Sequence, residues 1–128
     1  MVIALAMDER RTLRVSVAVR EELSEIIGFE LDDPRLSDVD ITKVEITPDS
    51  RHALIKFAAR GDERKQNQAL AALEHATSYL RRELAFRLQL RNVPELHFER
   101  DRQPDAESRI DFLLRRAKKS RSRDEKRP

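Results

Sequence analysis

"HATSYLRREL", residues 75–84, lies inside the longest periodic run of the chain and decides how many helices that run makes. Around it, Ala69, Leu70, Leu73, Ala76, Leu80, Leu84 and Leu88 form one apolar stripe at helical spacing, within a segment from Glu63 to Leu90. A single straight helix, turning about 100° per residue, would set Arg87 and Arg91 inside that stripe and send Tyr79, Phe86 and Leu90 to the opposite side. A break at Ala76, Thr77 and Ser78 relieves part of this conflict. The second piece then carries Leu80, Leu84 and Leu88 on one flank and Tyr79, Phe86 and Leu90 on another, with Arg81, Arg82 and Gln89 on a narrow exposed face. The spacing therefore predicts two helices joined by a bend, the second of them buried on most sides.

Upstream, the segment from Asp8 to Ile27 fits two periods. Leu13, Val15, Val17 and Val19 alternate with polar or small residues as in a half-buried strand, while Val15, Val19, Leu23, Ile26 and Ile27 fall at helical spacing. Its length exceeds that of an ordinary strand, which favours helix. Gly28 weakens it, and Asp33-Pro34 ends any continuation. Two short alternating segments follow, Ile41–Thr47 and Ala53–Phe57, joined by "TPDS" with the fixed φ of Pro48 and the local hydrogen bonding of Asp49, so a β-hairpin is expected. Asp62 is placed to cap the next helix. Downstream, Asn92 and Pro94 start a strand with Leu96 and Phe98 inward and Glu95, His97 and Glu99 outward. A polar loop, a short apolar patch at Ile110, Phe112, Leu113 and Leu114, and a charged end complete the chain.

With 128 residues, one modest core and one domain are the expectation. Charged residues make up 39% and aromatics only 5%, a balance that fits a small α/β body with a large charged surface better than an aromatic ligand pocket. There is no cysteine, which excludes disulfides and thiolate metal sites. No apolar run approaches the roughly 18 residues of a membrane span, and "VIALA" at 2–6 lacks the length of a secretory signal, so a cytoplasmic protein with no membrane partner is expected. Residues 115–128 hold eight basic residues against Asp124 and Glu125, so with a whole-chain charge of +2 the tail is +6 and the first 114 residues are −4. Such a tail reads as disordered, and beside a polyanion it adds salt-sensitive attraction without specificity.

Few patterns carry chemistry. His52, His75 and His97 lie far apart with no close pairing in sequence, which argues against a metal site. The only glycines are Gly28 and Gly61, so there is no phosphate loop, and Ser24, Ser78 and Ser108 stand in none of the settings that activate a serine nucleophile. The acidic run Glu30, Asp32, Asp33, Asp38 and Asp40 could in principle hold magnesium, although Pro34 and the separated spacing favour a solvated connection. Arginine is the better signal. Its planar fork matches phosphate, and Arg81, Arg82, Arg87 and Arg91 cluster beside a helix start; a solubilising helix face is the alternative reading.

The stretches "RVSVAVREELSEII", "DPRL", "ITKVEITPDSRHALIKF", "ALEHATSYLRRELAFRLQLRNVPELHFERD" and "RIDFLL" resemble, in order and spacing, the bacterial ribosome-binding factor A family over residues 10–114, most specifically from Leu80 to Phe98. The resemblance implies an α+β fold: one KH-like domain of the type II arrangement, αββααβ, over residues 8–114, with an interrupted, kinked helix pair, followed by the flexible basic tail at 115–128. It also assigns the doubtful first segment to helix. KH modules clamp a nucleic-acid backbone at a Gly-x-x-G loop; the family replaces it with an Ala-x-Gly kink, which falls here on Ala76, Thr77 and Ser78, with serine in the glycine position. Glu107 stands in place of a second family glycine.

The function so implied is that of an assembly factor, not an enzyme, with no cofactor and no metal. It would bind the immature 30S subunit as a monomer and assist late maturation of 16S rRNA, including 5′-end processing, with a part in adaptation to cold. The free 30S subunit and 16S rRNA are the implied partners, and an assembly GTPase or other maturation factors are further candidates. Arg81, Arg82, Arg87 and Arg91 are the candidate central RNA contacts, with Arg10, Arg11, Arg14 and Arg20 as a flanking set. Two other classes stay open: a KH-like module that makes only protein contacts, and a magnesium-dependent nuclease using Asp32, Asp33, Asp38 and Asp40.

Overall fold

A computed structural model describes residues 2–102, with side chains from residue 9 onward, and isolated positions 114 and 117. Glu107, the apolar patch at 110–113 and the rest of the basic tail lie outside the described residues. Helix α1 (Val2–Glu25) runs into one wide turn of π-helix (Ile26–Glu30), and a 3₁₀ turn (Pro34–Leu36) leads to the sheet. Strands β1 (Val39–Ile46) and β2 (His52–Ala59) form an antiparallel hairpin, and helix α2 (Glu63–Leu88) then brings β3 (Glu95–Arg100) back parallel to β2, in the order β1-β2-β3. Among the described residues no helix is long and apolar enough to cross a membrane.

The helical period wins in α1 because it buries one continuous stripe: Val19, Leu23 and Ile26 are fully buried, while the strand-phase residues Leu13 and Val17 are 64% and 50% exposed. Asp33 starts the following 3₁₀ turn as its N-cap, its side chain accepting from the Arg35 N–H, with Pro34 at the first helical position. In the hairpin turn Ser50 takes a positive φ of 61°, and the Asp49 carboxylate accepts from the Thr47 hydroxyl and the Arg51 N–H. A bulge between Ile41 and Lys43 resets the alternation in β1, so that Ile41 and Val44, three residues apart, both face the core. The extra residue, Thr42, is buried and its hydroxyl lies 2.8 Å from Asp101 Oδ2, tying β1 to the end of β3.

The two helices cover one face of the sheet, where Ala53, Ile55, Phe57 and Leu96 meet Leu73, Leu80 and Leu84 of α2 and Leu23 of α1 in a single core. Among the described residues no element covers the other face, and Lys43, Glu45, His52, Glu95, His97 and Glu99 are exposed along it.

The expected break at Ala76, Thr77 and Ser78 does not form: the two central helices of the αββααβ order are joined end to end in one of 26 residues. No glycine or proline occurs between Glu63 and Leu88, so nothing local interrupts the backbone ladder. Thr77 turns its hydroxyl back onto the Leu73 carbonyl at 3.1 Å, the small Ala76 packs against the core, and Ser78 points to solvent. Asp62 caps the start through the Lys65 N–H as expected, and Gln89, left-handed at φ 51°, closes the other end. Otherwise the antiparallel first pair and parallel second pair make the KH-like α+β arrangement.

Candidate nucleic-acid interface

The conflict between a single helix and its arginines is real, and the fold resolves it with charge. Arg87 does fall on the inner side of α2, with only 24% of its side chain exposed. There Glu30, at the end of the π turn, takes both guanidinium amines in a two-pronged pair, one contact at 2.7 Å. Glu22 of α1 adds a third contact at 3.4 Å and Glu83, one turn back, lies 3.9 Å away. The hydrogen bond from Arg87 holds the Glu30 carboxyl below its ordinary range, and the same partners raise the Arg87 guanidinium further above its own. A guanidinium matched to carboxylates on three sides is a clamp between α1, the π turn and α2. It is not presented to phosphate.

Two more of the expected RNA contacts are also committed internally. Arg81 donates from Nη2 to the Val93 carbonyl at 2.8 Å and from Nε to the Pro94 carbonyl at 3.2 Å, strapping the segment that enters β3 to the helix. Half-buried Arg20 donates to the Ile41 carbonyl at 3.3 Å. By contrast the side chains of Arg82 and Arg91 are exposed and form no hydrogen bond or ion pair with the described residues. Arg10, Arg11 and Arg14 are likewise exposed on the early turns of α1, which pack along β1 beside a groove of about 490 Å³ reaching to Pro48. Since Val93 and Pro94 immediately precede β3, and β3 starts opposite the start of β2, both open arginine groups lie toward the hairpin end of the sheet.

Periodicity misplaced Phe86. Expected on a mostly buried helix, it is 82% exposed, one turn beyond Arg82 on the outer face of α2. Tyr79, at 38%, stands one turn before Glu83, whose carboxylate raises the pKa of the Tyr79 hydroxyl above the ordinary value. The signal was present: the unbroken-helix phase puts Phe86 opposite the apolar stripe. Arg82 and Phe86 thus offer a cation and an uncovered ring side by side, the pair of groups that single-stranded nucleic acid engages through phosphate and base.

The acidic run does not assemble. Glu30 serves Arg87, Asp33 serves Arg35 and the 3₁₀ turn, and Asp40 is buried. Among the described residues the group with metal-ligand geometry is instead His52, Glu95 and His97, so the separation of 45 residues between the two histidines conceals direct contact.

Comparison with known proteins bears on this surface. A sequence model of the family "Ribosome-binding factor A" matches residues 11–114. The ribosome-binding factor A of Solibacter usitatus is 72% identical over 119 residues, covering 93% of this chain and 97% of that protein. The crystal structure of ribosome-binding factor A from Thermus thermophilus superposes with a TM-score of 0.63 at 28% identity, covering 70% of this chain and 94% of the other. A homology model of the Thermus thermophilus protein, fitted into a cryo-EM map of its complex with the 30S subunit, gives 0.59 at 31% identity with the same coverage. Sequence along nearly the whole domain, the three-stranded sheet and its helical cover agree, and on that ground the chain belongs to the ribosome-binding factor A family.

Proposed function

We propose that this chain is a ribosome assembly factor that binds the immature 30S subunit and assists late maturation of 16S rRNA, 5′-end processing included. The observation that carries the proposal is the outer face of α2, where Arg82 has no internal partner among the described residues and Phe86 is 82% exposed one turn away. Arg91 extends that face, and Arg10, Arg11 and Arg14 supply further open cations; Arg81, Arg87 and Arg20 are assigned to the fold. The complex known for the Thermus thermophilus relative supports a 30S partner. Nothing in this role requires a bond to be made or broken.

Co-sedimentation with immature and mature small subunits across a salt series tests the reading. Preference for the immature particle, with binding that falls steeply with salt, is the expected result. Arg82→Ala with Arg91→Ala should flatten the log–log salt slope by about one unit for each phosphate that the two guanidinium groups neutralise. Phe86→Ala should weaken binding by roughly 1–3 kcal/mol if a base stacks on the ring. Equal binding to both particles, or a slope unmoved by the double variant, would overturn the proposal.

A second reading rests on exposed Leu13 and Val17 beside the α1–β1 groove, an apolar surface suited to a protein partner. Binding that survives ribonuclease and is indifferent to salt would favour it.

A further inference from the structure

Strand geometry assembles a constellation on the open face of the sheet that the RNA-binding role does not use. Residues i and i+2 of a strand share a face, so Glu95 and His97 of β3 point the same way. The parallel register sets His52, the first residue of β2, directly across from Glu95. As a result His52 Nδ1 lies 3.0 Å from His97 Nε2, with ring centroids 5.2 Å apart, and 3.8 Å from a Glu95 carboxylate oxygen. The three donor atoms all lie within 4.8 Å of one another.

We propose that His52, Glu95 and His97 form a binding site for a divalent transition metal, zinc being the best match. Tetrahedral zinc with bonds of about 2.0–2.1 Å to imidazole nitrogen and carboxylate oxygen needs donor atoms separated by about 3.3 Å. The two observed separations bracket that value within about half an ångström, a shift that exposed side chains reach by small rotations. The two imidazole nitrogens face each other at 3.0 Å, so a metal ion needs only a small opening of this contact to take both as ligands. The scaffold is held at both ends: the His52 N–H donates to the Thr47 hydroxyl and the Glu95 N–H to the Arg51 carbonyl at 2.8 Å. Two nitrogens and one oxygen select zinc, nickel or copper over magnesium and calcium, which prefer all-oxygen shells. All three side chains are exposed, so a fourth position stays open to water. Bound metal would staple the start of β2 to the start of β3.

Isothermal titration of the full chain with zinc chloride, repeated with magnesium chloride, tests the site independently of any ribosome assay. One equivalent of zinc should bind, magnesium should not, and His52→Ala or His97→Ala should each weaken zinc at least tenfold. Glu95→Gln should weaken it less, and His75→Ala, which removes the exposed histidine of α2, should leave it unchanged. Substoichiometric nickel should broaden the ring signals of His52 and His97 before those of His75 in NMR spectra. Absence of zinc binding, equal binding of magnesium, or equal weakening in the His75 variant would overturn the proposal. Unchanged circular dichroism in each variant ensures that weaker binding reports a missing ligand and not a damaged fold.

Discussion

Arg82 and Arg87 stand little more than one turn apart on α2 and have opposite fates. The turn of about 140° between them carries Arg87 over the end of α1, where Glu22, Glu30 and Glu83 enclose it, and leaves Arg82 in solvent beside Phe86. Arginine in a basic run is thus not one kind of residue. Which role it takes depends on whether carboxylates from elsewhere in the chain reach it, and only the fold decides that.

The contrast between inner and outer face is tested most severely at its apolar members. Leu84→Ala opens a cavity at a fully buried position and should cost about 2–5 kcal/mol in urea unfolding, whereas Phe86→Ala should change stability by no more than about 0.5 kcal/mol. Similar losses from both would show that Phe86 packs inward. A smaller effect separates the arginines. Arg87→Ala should lower the urea midpoint at neutral pH, with Arg82→Ala leaving it in place, and the deficit of the Arg87 variant should depend on pH. Because Arg87 holds the Glu30 carboxyl below its ordinary value of 4.5, that stabilisation is present above the ordinary range and is lost as pH falls through the lowered one. The gap between wild type and variant should therefore close in acid; a gap that persists unchanged would mean the carboxylates are not what Arg87 serves.

The smallest effects concern the two ends of the same question about helix continuity. Ser78→Gly, in the middle of the unbroken ladder, should cost about 0.5–1 kcal/mol. Gln89→Gly, which relieves a left-handed non-glycine residue, should gain several tenths of a kcal/mol and at most about 1. A neutral or stabilising glycine at 78 would mean that the helix bends there in solution.

What could be read from the residues was the part that depends on near neighbours. Alternation in β3 placed Leu96 inside and Glu95, His97 and Glu99 outside, and Asp62 announced the start of α2. The Thr42 bulge was hidden, because an extra residue in a strand changes parity without changing composition. The break at Ala76–Ser78 was inferred from Arg87 lying in an apolar stripe. That inference failed because its neutralising partners Glu22 and Glu30 are 65 and 57 residues away. The histidine pair failed to show for the same reason, since only the parallel register makes His52 and His97 neighbours.

That parallel register also orders events in time. The β1–β2 hairpin closes over a short turn, but β3 can dock only after α2 has been made and folded back, since His52 waits for Glu95. Pairings so distant along the chain carry the larger loop-closure entropy and form late. During synthesis, then, the edge of β2 stays uncovered until residues 95–100 have left the exit tunnel. Pulse-labelled hydrogen exchange should find hairpin amides protected before the amides of Glu95 and Asp101, whose carbonyl partners Arg51 and Phe57 flank and belong to β2.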